Sequence, residues 1–218
     1  MRTTVTLARQ LGCGGSLIGQ MMADNLGIRC LDREIVSQAA QTLSLDEEDL
    51  AAREERGTPF WERMLKGISS INPPEALYQA PVTLSPSDRD LFDAETEVMK
   101  DIAAREDCVI VGRLASHVLP SHPGKIDILL HAPLPFRVRL VMERLGIPSE
   151  ARARALIVQS DETRKRYITQ MLGADWGRPE AYHLCLDTST LPLPDVAEFL
   201  TEFVRRKTAP PSGYNRNL

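Results

Sequence analysis

The segment TTVTLARQLGCGGSLIGQMM, residues 3–22, sets a β-rich run, a glycine cluster and a helical apolar spacing end to end. Leu17, Ile18, Met21, Met22 and Leu26 return at the helical period until Gly27 stops the run. A strand that passes through glycines straight into a helix is the opening unit of an α/β domain. It puts the turn beyond the carboxyl end of the strand, where such folds bind ligands.

The rest of the chain keeps that alternation. IRCLD at 28–32 reads as a short strand and REIVSQAAQTL at 33–43 as a helix that faces a core. CVIVG at 108–112 and IDILLHA at 126–132 are continuous apolar runs of strand length, as expected when helices cover both faces of a parallel sheet. Helical periodicity marks 87–107, 133–146, 149–173 and 192–207, and YHLCLDT at 182–188 supplies a fifth strand. The expected architecture is a doubly wound, five-stranded parallel sheet between helical layers.

Three stretches depart from it. Residues 44–85, charged and then rich in proline and turn residues, read as a helical insertion between a first core segment, 1–43, and a second, 86–207. Residues 147–172 are helical and unusually basic, and 208–218, TAPPSGYNRNL, is expected to be disordered.

With 43% hydrophobic residues in 218, the chain can bury a full core. Its net charge of -4 excludes a general binder of nucleic acid polymers or membrane surfaces, so any anion site must be local. Cys13, Cys30, Cys108 and Cys185 form no CxxC pair, and His117, His122, His131 and His183 show no metal spacing. No apolar run reaches the roughly 18 residues of a membrane span. Reduced cysteines and the lack of a signal-like start give a cytoplasmic location as the expectation.

Against the phosphate-loop pattern GxxxxGK[ST], Arg9 to Ser16 keeps Gly14 and Ser16, but has Arg9 for the first glycine and Gly15 for the lysine. The glycines still let backbone N–H groups turn toward a phosphate, the helix start adds its positive end, and Ser16 is a magnesium ligand of the usual kind. A mobile cation at the β and γ phosphates is what the loop lacks, and Arg9 is the first candidate to restore it. By itself the loop also suits a tight turn that serves only packing.

Other segments bear on that choice. The loop ARQLGCGGS, LDREI at 31–35, VIVGR at 109–113, the run DILLHAPLPFRVRLVMER and the later Asp161, Arg164 and Tyr167 together resemble the cytidylate kinase-like family, relatives of bacterial cytidylate kinase among the nucleoside monophosphate kinases. The resemblance spans about residues 3–205. It implies a P-loop NTPase fold of three α/β/α layers, an ATP- and Mg2+-dependent transfer to a nucleotide or other small-molecule acceptor, and tolerance of the absent lysine. A homodimer is compatible with it.

By the same resemblance, Gly12, Cys13, Gly14, Gly15, Ser16 and Leu17 hold ATP, Ser16 binds the metal, and Asp32, Arg33 and Arg113 bind the acceptor. Asp32 also reads as a helix N-cap. The insertion and the strand ends would enclose the acceptor; Phe60 and Trp61 in the insertion suit stacking on a base, although an amphipathic helix more often uses such aromatics for its own packing.

Between Arg137 and Arg166 there are eight Lys or Arg against four Asp or Glu, a local excess that asks for an anion. Phosphoryl transfer rests on positioning and charge stabilisation, so a closing lid that brings Arg164 down, with Asp161 orienting it or binding the acceptor, is the expected device. Arg139 with Glu143 fits a solvated ion pair better. Arg137, Arg152 and Arg154 suit either description, and Arg154 is the candidate for a second lid arginine.

Two departures from cytidylate kinases weigh on activity: Val111 stands where an aspartate precedes GR, and Ile157 and Val158 stand where an RD pair does. Three functions therefore remain open. One is a kinase of CMP or dCMP. Another is a kinase of a small-molecule hydroxyl, with Asp32 the first candidate for a base. The third is a nucleotide-binding module without turnover.

Overall fold

The computed structural model describes residues 2–32, 86–112 and 114–209. Arg33, Arg113, the helix expected at 33–43, the insertion at 44–85 and the terminal residues 210–218 lie outside the described residues.

Five strands, β1 (Thr4–Arg9), β2 (Arg29–Leu31), β3 (Cys108–Val111), β4 (Lys125–His131) and β5 (Leu184–Asp187), form one sheet in the order β2-β3-β1-β4-β5. Every pairing is parallel. The helices are α1 (Gly15–Leu26), α2 (Pro86–Arg105), α3 (Ala115–Val118), α4 (Leu134–Leu145), α5 (Glu150–Leu172) and α6 (Leu193–Thr208). The chain moves to one side of β1 for β2 and β3 and to the other for β4 and β5, so the crevice for a ligand opens beyond the end of β1.

One face of the sheet is apolar throughout. Val5, Leu7, Val109, Val111, Ile126, Ile128 and Leu130 meet Ile18 and Met22 of α1 and Val196, Leu200 and Val204 of α6. Gly19 lets α1 lie close, since a Cβ there would come 2.6 Å from the Val111 side chain. Val111, which stands where the resemblance to cytidylate kinases expects an aspartate, is thus a fully buried core residue.

The other face is mixed. Under α2 and α3 it is apolar, with Leu31, Met99, Ile102, Ile110 and Leu119. Below β1 and β4 it carries Thr6, Lys125 and Asp127, all buried. The Thr6 hydroxyl donates to Asp127 Oδ1 at 2.6 Å, and the Lys125 ammonium lies 3.4 Å from the same oxygen. Reading IDILLHA as a uniformly apolar run is therefore corrected at Asp127, a buried charge made tolerable by a hydroxyl and a partner.

The basic region expected as a lid is a single helix. Gly146, at φ 64, ends α4, and the Ser149 hydroxyl caps α5 by accepting from the Arg152 N–H at 3.3 Å. The first half of α5 packs Ala153 and Ile157 against Val138 and Val141 of α4. Its last turn is held by α2: Phe92 meets Tyr167 edge to face, and Arg89 donates to the Met171 carbonyl at 3.1 Å. Arg164 lies between these two contacts on the 23-residue helix.

Candidate active site

The loop after β1 is pinned from below. The Gln10 N–H donates to the Leu130 carbonyl at 3.1 Å, and its side-chain oxygen accepts from Ala132 N–H at 3.2 Å. Cys13 is buried, its thiol 3.6 Å from the Leu130 carbonyl, and its own carbonyl accepts from the Thr188 hydroxyl at 2.8 Å. Burial pushes the Cys13 thiol pKa up, so it serves as a packed anchor.

Gly12 and Gly14 have φ of 84 and 80, a region that side chains resist. A Cβ on Gly12 would also fall 2.7 Å from the Arg137 carbonyl oxygen. Gly12→Ala is expected to cost about 2 kcal/mol or more from left-handed strain plus overpacking, read as a lower urea midpoint with unchanged slope.

The first N–H to enter α1 is that of Ile18, onto the Gly14 carbonyl at 3.0 Å. Those ahead of it lack intrahelical partners, as at any helix start, and the first turn carries no acidic residue. Loop and helix end are therefore electropositive.

Around this loop the structure gathers charged side chains from far along the chain. Arg9 Nη2 donates to Asp32 Oδ1 at 3.3 Å, and the Ser16 hydroxyl donates to Asp32 Oδ2 at 2.8 Å. Asp32, just past β2, thus joins the strand end to the start of α1. Its carboxylate and the Ser16 hydroxyl form a hard-oxygen donor pair that fits Mg2+, which commonly takes one or two protein ligands and completes its shell with water and phosphate.

On the opposite side, Arg137 is almost fully buried. Its guanidinium donates to the Leu11 carbonyl at 3.2 Å and to Asp161 Oδ2 at 2.7 Å. Arg164 donates to the Ser160 hydroxyl at 2.7 Å and lies 3.9 Å from Asp161 Oδ1. Burial first, and then the Arg9 charge, push the Arg164 pKa down to about 10. All three guanidiniums act on the Cys13 thiol in the loop. Among the described residues, these three cations stand with two carboxylates, Asp32 and Asp161, in a protein that is acidic as a whole.

The sequence-expected residues Arg9, Gly12 to Ser16, Asp32, Asp161 and Arg164 thus come together, and Leu17 is exposed beside them. Arg154 is exposed and 3.5 Å from Glu150, so the second guanidinium next to Arg164 is Arg137 instead. Sequence left Arg137 undecided, although it falls in the apolar stripe of α4 with Val138 and Val141. An arginine in such a stripe needs a partner, which was the available signal.

A family model for the cytidylate kinase-like family matches residues 4–190. The chain belongs to the cytidylate kinase-like family. A curated relative, the cytidylate kinase of Aeropyrum pernix, is 30% identical over 107 residues, 49% of this chain and 61% of that protein. The matched region thus spans less than two thirds of that relative. Among solved structures, an uncharacterized protein from Eubacterium ventriosum aligns with a TM-score of 0.68 at 19% identity, covering 94% of this chain and 99% of that one. A gluconokinase from Sinorhizobium meliloti aligns at 0.53 and 16%, covering 94% of each chain. Shikimate kinase from Acinetobacter baumannii aligns at 0.51 and 13%, covering 96% and 97%. At these identities the likeness is one of fold, and the fold of this cytidylate kinase-like chain is that of the P-loop kinases.

Proposed function

We propose that this protein is an ATP- and Mg2+-dependent phosphotransferase of the nucleoside monophosphate kinase type, with CMP or dCMP as acceptor. The observation that carries the proposal is the placing of three arginines about the glycine loop: Arg9 packs on Gly15, Arg137 packs on Gly12 and donates to the Leu11 carbonyl, and Arg164 stands by Asp161, the partner of Arg137. The loop N–H groups and the start of α1 hold the ATP phosphates, while Ser16 and Asp32 take the metal, which neutralises phosphate charge when bound.

In the reaction, the bond from the γ-phosphorus to the β–γ bridging oxygen breaks as one forms to an acceptor phosphate oxygen. Arg164 and Arg9 stabilise the charge on the transferring oxygens. Asp161 holds Arg137 and Arg164 in register, a positioning role. Arg33 and Arg113 are the proposed acceptor ligands.

Both Asp32 oxygens accept hydrogen bonds, from Arg9 and from Ser16. That engagement suits metal binding better than proton abstraction, and favours an acceptor that is already an anion over a hydroxyl that needs a base. The free thiols of Cys13, Cys30, Cys108 and Cys185 fit a reducing compartment such as the cytoplasm.

A coupled ADP-release screen over nucleoside monophosphates, gluconate and shikimate, with ATP and magnesium, tests the reading. Turnover confined to CMP and dCMP is the expected result. Turnover on hydroxyl acceptors alone would replace it with the second kinase reading. A thermal shift with ATP but no ADP release on any acceptor would leave a binding module.

A further inference from the structure

The glycine and the cation of the phosphate loop stand in each other's places in this chain, and packing gives the reason. The pattern has glycine first and lysine seventh; here position 9 is arginine and position 15 is glycine. Gly15 is not among the glycines with positive φ, so its backbone suits any residue. What requires the missing side chain is Arg9. A Cβ on residue 15 would come 2.8 Å from Arg9 Cβ and 2.9 Å from Arg9 Cγ. The Arg9 Cβ is fixed by the backbone of β1 and cannot swing aside as a side-chain tip can.

The far end of Arg9 is equally confined. Its guanidinium occupies the space into which a side chain on Gly112 would grow, and Gly112 has φ 80 at the end of β3. From there Nη2 reaches Asp32. The arginine therefore crosses position 15 with its stem and rests on position 112 with its head, level with the carboxyl ends of the strands.

We propose that Arg9 and Gly15 are a reciprocal exchange: the phosphate-loop cation is carried on the strand end at position 9, and position 15 is glycine because the arginine stem fills the volume that a lysine there would need. Gly112, which its φ of 80 already reserves for glycine, leaves the space in which the guanidinium lies. The same geometry makes glycine the compatible residue at position 9 whenever lysine occupies 15. The role of the cation rests on the phosphotransferase reading above; the steric exchange does not.

The test uses the full chain as wild type, Arg9→Gly, Gly15→Lys and the double variant. In the ligand-free proteins, Gly15→Lys is expected to lower the melting temperature by about 5 °C through overpacking, and by no more than about 1 °C when Arg9 is already glycine. Equal losses in the two backgrounds would overturn the exchange. Magnesium-ATP affinity, by titration calorimetry, is expected to fall about 10- to 100-fold in Arg9→Gly and to recover to within about 3-fold of wild type in the double variant. Steric coupling without such recovery would overturn the cation's role and keep the packing. A wild type that binds no triphosphate would instead sink the phosphotransferase reading, with the melting temperatures still deciding the exchange.

Discussion

Arg164→Ala is expected to lower turnover by about 10²- to 10³-fold, the usual effect of removing one fixed donor to transition-state charge, and to leave the melting temperature unchanged or higher. The two halves have one cause. Arg164 is largely buried on α5, beside the like charges of Arg9 and Arg137, and its pKa is pushed down to about 10. Its carboxylate neighbour is 3.9 Å away and already committed to Arg137 at 2.7 Å. The folded protein holds this charge against repulsion and desolvation, a local instability that an anion on the loop would relieve.

Alanine removes the unfavourable charge and orphans no carboxylate, because Asp161 keeps Arg137. Arg164→Lys retains the charge but loses the planar fork, and an intermediate rate is expected. Steady-state rates with the best acceptor of the screen, set beside calorimetric melting curves, check both halves. A lower melting temperature with an unchanged rate would make Arg164 a structural residue and remove it from the site.

How far the site could be read from sequence follows from how local each signal is. The strands announced themselves as apolar runs and α1 by its spacing and its closing Gly27, because each pattern fits within one element. Arg9, Ser16 and Arg164 were legible because the loop pattern and the resemblance covered them. The relations among these residues were not legible. Asp32 meets Arg9 and Ser16 only because β2, with β3 between it and β1, stops at Leu31, level with Ile110 and Thr6, so that Asp32 leaves the sheet beside the last residues of β1. Gly112 reads as an ordinary strand-end glycine until the Arg9 guanidinium is seen against it. Arg137 and Asp161, 24 residues apart, meet because a turn at Gly146 folds α5 back along α4. The contacts of Arg89 and Phe92 with the end of the basic helix were not legible for a similar reason: they span the sequence and leave no periodic trace.

Arg137→Met is expected to cost about 3 kcal/mol, the largest stability loss foreseen here. The Arg137 side chain is 7% exposed and bonded to Asp161 and to the Leu11 carbonyl, so methionine keeps the packing and removes every donor. Asp161, 21% exposed, would be left with Arg164 at 3.9 Å as its cation, and water reaching that exposed fifth keeps the cost at the low end of the range for a broken buried pair. For a chain of this size the loss corresponds to about 6–12 °C in melting temperature. Pairing Arg137→Met with Asp161→Leu should recover much of that stability, since removing both charges also removes their desolvation penalty. ATP affinity should not recover with it. The arginine also supports the loop, its backbone and Cβ lying directly on Gly12, and in the proposed function its charge is one of three that would face the phosphates. If the double variant regained both stability and affinity, the ion pair would be a packing device and the anion site would consist of Arg9 and Arg164 alone. Stability restored with affinity still lost would place the Arg137 charge in the phosphate site itself.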